Sequence, residues 1–419
     1  MVLLGEPLLF HNMDMSTFVS RDYWENIERI STDAGKFQID LARRFGRNNF
    51  MARAGEWSLP FPYELMEECR MPEYDPTFSK TFEQVSNERA GQIREKIQLG
   101  SRFAVMYSGG MDSTCMLVAL LKNLSESELK SLSVCASVHS YIENPDLWRR
   151  YIDGKMQVID SNVNTYSDLW EMGFVPLTAD QGDDIFGMSF GIQMYDKYDF
   201  YLEQVSSDTR RALAKYKTRI SDRDVHYSTF KDLIIMHFIH NEEEKTKEFA
   251  RLLYEKVDHN IKTQTVPVVS LHDYWWWFIF NLKYVHCATR SALKYSKSGD
   301  FDKHFKAIEN WFAAPDFQRW SMVNNNNGMK IRSSLASYKY IQRQYICDFD
   351  KNDWYATFKT KLESLSNLFI NSDLVNKTNT KGGRKFMYGL NRKRKPIMLQ
   401  DENVWRYIRH YFSTAKIDW

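Results

Sequence analysis

The period of hydrophobic and polar positions changes along the chain. Through the first hundred residues polar and aromatic segments are mixed, ending in SKTFEQVSNERAGQIREKIQLG (Ser79–Gly100), where helical spacing and a closing glycine predict a helix. From Arg102 short apolar runs take over: RFAVMYS, SLSVCASVHS, MQVIDSN and FVPLTAD, the last ending at Asp180. Intervening stretches, around Thr114–Asn123 and Asp146–Ile152, are long enough for helices. Strands alternating with helices require crossover connections, so the expected fold class is α/β with a mostly parallel sheet covered on both faces.

After about Tyr195 the strand signal fades. Windows such as YDFYLEQVSSDTRRALAKY and NEEEKTKEFARLLYEKV predict a mainly helical second half, and ENVWRYIRHYF near the end predicts an amphipathic helix. The organisation expected is an N-terminal segment over 1–100, a parallel-sheet core over 101–195, and a helical region with a basic C-terminal segment over 196–419.

Composition narrows the function classes. The chain has 419 residues, 43% of them hydrophobic and 15% aromatic, as suits a globular protein with bulky core packing. A formal net charge of +2 gives no global pull toward nucleic acid or membrane. The cysteines, Cys69, Cys115, Cys135, Cys287 and Cys347, are scattered without a CxxC pair, which argues against a disulfide framework or a zinc ribbon and fits a reducing cytoplasm. The opening MVLLGEPLLFHNMD lacks a basic n-region, so no signal peptide is read. The most apolar window, YWWWFIFNL (Tyr274–Leu282), falls far short of the ~20 residues of a spanning helix and predicts a buried one, with no membrane role.

The chemistry concentrates in Ser108-Gly109-Gly110-Met111-Asp112-Ser113, at a strand-to-helix junction. In a parallel sheet ligands bind beyond the carboxyl ends of strands. Adjacent glycines let backbone approach a ligand, and a helix N-terminus favours an anion. A carboxylate there would repel phosphates unless a divalent cation sat between them, so Asp112 points to magnesium. The chain contains neither GxxxxGK[ST] nor GxGxxG, which excludes the common P-loop and dinucleotide fingerprints.

The hexapeptide resembles the SGGxDS pyrophosphate loop of the ATP pyrophosphatases, the PP-loop superfamily. A second segment, LTADQGDDIFG (Leu177–Gly187), resembles the LTGDGGDELFGG of the asparagine synthetase branch. A third, Phe317–Ser337, is similar to DRMSMAxxxEVRxPFLD, with Arg319, Ser321 and Met322 in register and Arg332 after a longer gap. It departs in having Gln318 for the aspartate, Lys330 for the glutamate and Ser334-Leu335-Ala336-Ser337 for the final motif, which points to a different, anionic substrate. The resemblance spans about Lys96–Ser337.

The resemblance implies an adenine-nucleotide α-hydrolase-like domain with helical additions. It implies ATP and pyrophosphate at Met106, Ser108, Gly109, Gly110, Asp112, Ser113 and Thr178. Magnesium would be held by Asp112 and Asp183, with Asp184 behind; Asp180 would face the reacting groups, and Lys381 would stabilise adenylate and pyrophosphate, with Lys385 nearby. The activity implied is an AMP-forming ligase that adenylates a small carboxylate and then forms an amide. With Val2 and a first cysteine at Cys69, no intrinsic glutaminase is expected, so nitrogen would come from ammonia, an amine or a separate glutaminase. Two alternatives stay open: a nucleotide or nucleic-acid modifier, with the basic run 377–395 tracking a backbone, and a silent ATP-binding module. His237 and His240 are read as packing residues, and Trp275–Trp277 as core.

Overall fold

A computed structural model describes residues 50–57, 67–161, 166–187, 226–238, 244–288, 305–323 and 339–352, with isolated positions at 33, 36–37, 40–41, 65, 164, 207–208, 211 and 355. The chain divides into two compact units, each assembled from two separated segments. One comprises Glu83–Ala179 with Ile341–Trp419, and the other Met1–Phe82 with Asp180–Tyr340.

The first is the sheet unit. Helix α1 (Phe82–Gln98) leads through Gly100 into β1 (Phe103–Met106), and α2 (Met111–Asn123) and a turn of helix, α3 (Glu126–Leu129), carry the chain to β2 (Leu132–Ala136). Two short helices, α4 (Val138–Glu143) and α5 (Pro145–Leu147), run into a π-helical turn at Trp148–Ile152 before β3 (Gln157–Asp160). Helix α6 (Tyr166–Glu171) then precedes β4 (Val175–Thr178). The four apolar runs of the sequence thus become four strands, all paired in parallel: Phe103 opposite Leu132, Ser133 opposite Gln157, and Phe103 opposite Val175.

These strands stand in the order β3-β2-β1-β4. β1, β2 and β3 step outward in one direction, and β4 returns to the free side of β1. The reversal falls between β1 and β4, so their carboxyl ends, at Met106 and Thr178, flank the place where open α/β sheets bind ligands. Every residue of β2 is buried, as expected for a strand covered on both faces.

The other unit is mainly helical. Helix α7 (Gly182–Phe186) follows the acidic turn, and the described residues continue through α8 (Lys231–Phe238), α9 (Glu244–Lys262), α10 (Leu271–Trp277), a π-helical turn at Phe278–Lys283, a two-residue strand β5 (Glu309–Asn310) and α11 (Pro315–Val323). The window NEEEKTKEFARLLYEKV falls on α9. YWWWFIFNL is α10 and its π-helical continuation, with every residue from Tyr274 to Leu282 buried, which is why it shows no polar face. No helix among the described residues is long and apolar enough to cross a membrane.

Arg53 holds this unit's N-terminal segment to its core. The buried guanidinium donates to the carbonyls of Cys69 (2.7 Å), Phe280 (3.1 Å) and Arg70 (3.2 Å) and to Gln318 Oε1, and it lies 3.6 Å from the centroid of the Tyr284 ring. Burial lowers its affinity for a proton, and Tyr284, Cys69 and Asp184 nearby act against that. The Asn281 amide oxygen accepts from the backbone of Arg53 and Ala54, at 2.8 and 2.9 Å.

The chain returns to the sheet unit through α12 (Tyr340–Asp350). Its Tyr345 hydroxyl donates to Asn87 Oδ1 (3.0 Å) under the ammonium of Lys122, 4.3 Å from the ring centroid, and Arg150 Nη1 donates to the Asp350 carbonyl at 2.5 Å.

Candidate functional site

The loop between β1 and α2 is fixed by its own hydroxyls. Ser113, buried on the first turn of α2, donates to the Gly110 carbonyl (3.1 Å) and accepts the Ser108 N–H (3.2 Å), while the two hydroxyl oxygens lie 3.0 Å apart. Ser108 Oγ in turn accepts the Gly110 N–H at 3.2 Å. The two serines therefore close the loop on itself. Ser108 is exposed and Asp112 and Gly110 are half-buried, so these present the loop to a ligand, whereas Ser113 shapes it.

The two glycines have different reasons. Gly109 has φ +73°, the left-handed region, where an L side chain costs about 1–2 kcal/mol, and a Cβ there would collide with the Ser140 carbonyl and come within 2.7 Å of Glu143 Cβ. Gly110 caps α2 with extended backbone and no side-chain cap, so the first-turn N–H groups lack the acceptor that a serine or aspartate cap would supply. Such groups suit an anion.

Two residues from the C-terminal segment brace this loop, and no local sequence signal marks them. The Tyr355 hydroxyl donates to the Gly109 carbonyl (3.1 Å) and shares a 3.0 Å bond with Thr114 Oγ1. Gln342 Nε2 donates to Asp112 Oδ1 at 3.0 Å, and the other amide atom of this fully buried side chain, Oε1, has no hydrogen-bond partner among the described residues. Glu143, a buried carboxylate on α4, lies against the glycines. A Cβ-free cradle, a carboxylate oriented by an amide, and an orphaned buried acceptor beside it fit a hydrated divalent cation carrying phosphates.

Met106 and Thr178 end β1 and β4, half-buried and buried. Cys135, opposite Met106 in the register, is no activated nucleophile, because burial, with the Asp160 charge, pushes its thiol up to about 12.

In the helical unit the acidic turn is held by charge and packing. Asp180 is half-buried and Asp184 fully buried. Asp183 forms an ion pair with Lys339, Oδ1 to Nζ 2.6 Å, and the Lys339 side chain is only 4% exposed. Lys339 has φ +56°, unusual for a residue with a side chain, and its ammonium lies 5.9 Å from the Phe186 ring centroid. Phe186 packs against Phe82 and Trp320, and Ser321 Oγ donates to the Ile185 carbonyl (2.7 Å) while accepting from Trp276 Nε1 (2.9 Å). The third motif's serine thus ties α11 to α7, and Gln318 is an acceptor for Arg53.

Among the described residues Lys339 is the lysine set on an acidic candidate, and sequence reasoning missed it. Lys381, Lys385 and the run 377–395 lie outside the described residues, as do Lys330, Arg332, Ser334–Ser337, Asn324–Asn327, His240, the His237 side chain, the window 402–412 and most of 198–216. Among the described residues no group of three or more His, Cys, Asp or Glu is gathered as a ready-made metal site. Compared with protein-family models, with curated proteins and with solved structures, the chain matches none.

Proposed function

We propose that the protein is an ATP-dependent, AMP-forming ligase of the asparagine synthetase type, with the loop Ser108–Ser113 receiving the phosphates of ATP. The observation that carries this reading is the position of the loop. A left-handed Gly109 and an uncapped helix start, with Asp112 on its first turn, lie at the carboxyl end of β1, where the strand order reverses.

In the proposed reaction a carboxylate oxygen of the substrate attacks the α-phosphorus, the bond to the bridging oxygen of the β-phosphate breaks, and pyrophosphate leaves. An amine or ammonia then attacks the acyl carbon, AMP departs with the C–O electron pair, and the nitrogen loses a proton. Nucleophile and leaving group are both anionic, so the protein's work is positioning and charge neutralisation. The N–H groups at the start of α2 would hold the phosphates, and Asp112 would hold magnesium, which supplies positive charge at the leaving pyrophosphate. Asp183, in its own unit, is assigned a metal-ligand role by the resemblance alone, and Asp180 a place facing the reacting groups.

The test is ATP–pyrophosphate exchange in magnesium across a panel of carboxylic acids beginning with aspartate, with Asp112→Ala as control. Exchange that requires one acid and disappears in the variant supports adenylation and names the substrate class. ATP binding without exchange for any acid would replace this reading with a macromolecular acceptor or a silent module.

A further inference from the structure

Resting on that reading, we infer that Gln342 is a positioning residue for the metal: its amide aims Asp112 and offers a buried acceptor to a water on the bound cation. Gln342 is far from the loop in sequence, yet both belong to the sheet unit. Its Nε2 donates to Asp112 Oδ1 (3.0 Å), which fixes the carboxylate's rotation.

The second observation is independent of that bond. Gln342 is fully buried and its Oε1 has no hydrogen-bond partner among the described residues. A buried acceptor left unmade costs about 1–3 kcal/mol, so this atom calls for a donor. Oε1 belongs to the same amide as the nitrogen bonded to Asp112. Magnesium keeps several of its waters when bound through one or two carboxylates, and such waters are strong donors. A hydrated cation on Asp112 therefore satisfies the atom that the protein leaves unsatisfied.

The platform under Gln342 is rigid enough to act this way. Three residues on, the Tyr345 hydroxyl is bonded to Asn87, Ile346 is fully buried, and the carbonyl ending α12 accepts from Arg150.

The experiment measures Mn2+ affinity of the ATP-bound full chain by electron paramagnetic resonance, with thermal melting and metal-free ATP affinity alongside. Gln342→Met keeps the shape and removes both polar atoms; Gln342→Asn keeps the amide one methylene shorter. The expected result is a loss of metal affinity of about 10- to 100-fold in Gln342→Met and a smaller loss in Gln342→Asn, each larger than any change in metal-free ATP affinity. Equal losses in the two variants, or none in either, would overturn the inference and leave the ligase reading standing. Absence of metal-dependent ATP binding in the unaltered protein would overturn both. If Gln342→Met does not fold, Gln342→Asn decides alone: unchanged metal affinity sinks the proposal.

Discussion

The loop after β1 and the acidic turn at the start of α7 each carry a carboxylate assigned to a cation, and they are held in different ways. Asp112 sits in a loop stitched by hydrogen bonds between serine hydroxyls and backbone, and its carboxylate accepts from the uncharged amide of Gln342. Asp183 sits in a turn held by an ammonium and an aromatic cluster, with the buried Asp184 acting on the charge of Arg53. Uncharged donors shape a cradle without supplying a countercharge. Buried charges fix a turn strongly but make it depend on every partner that balances them.

The largest expected effect tests that dependence. Arg53→Met removes a guanidinium that serves three carbonyls and Gln318 inside the core. Each buried acceptor left without its donor costs about 1–3 kcal/mol, so urea unfolding should show a loss of at least about 3 kcal/mol. A loss below about 1 kcal/mol would mean that the helical unit's core tolerates the unmet acceptors and that the contrast drawn above is wrong.

The loop should respond in the opposite proportion, with a modest loss of stability and a large loss of binding. Gly109→Ala places a Cβ in the left-handed region, at about 1–2 kcal/mol, and against the Ser140 carbonyl. Relief requires the loop, or Ser140 and Glu143 against it, to shift. ATP affinity, followed by fluorescence titration, is expected to fall at least tenfold while the melting transition stays cooperative. Unchanged affinity would show that the geometry of Gly109 is not used for nucleotide.

The same contrast explains what the sequence disclosed. The four strands were legible because each is a short apolar run bounded by turn residues, and the loop was legible because its determinants, Gly109, Gly110, Asp112 and Ser113, lie within six positions. Its braces were not, since Gln342 and Tyr355 reach it through tertiary folding and look like ordinary helical residues in their own neighbourhood. For the acidic turn, Asp180, Asp183 and Asp184 could be singled out as acids, but their setting depends on Arg53, Lys339 and Ser321, far away in the chain. The division into units was equally invisible, because each is assembled from segments more than 90 residues apart in sequence. Apolar period records which face is buried, and it carries no record of which distant segment does the burying.

The smallest effect compares the two units through one carboxylate in each. In the helical unit burial alone would raise the Asp316 carboxyl, but hydrogen bonds from Lys80 (2.8 Å) and Arg319 (2.9 Å) outweigh it and hold the group below the usual aspartate value. In the sheet unit burial dominates at Asp350 and raises it, despite the Asn352 N–H and the charge of Arg150. The signs of linkage are therefore opposite. Asp316 contributes stability that is complete above its unfolded value, near 3.9, and is lost as pH falls through its lower folded value. Asp350 carries a cost that is absent below the unfolded value and complete once pH has risen through its higher folded value. Melting temperatures of Asp316→Asn and Asp350→Asn between pH 3 and 7 should diverge from the parent at neutral pH, the first lower and the second higher. Both differences should shrink toward acid, that of Asp350→Asn vanishing by the unfolded value and that of Asp316→Asn persisting below it. Two curves displaced in the same direction at neutral pH would show that the units do not differ in how they handle a buried acid.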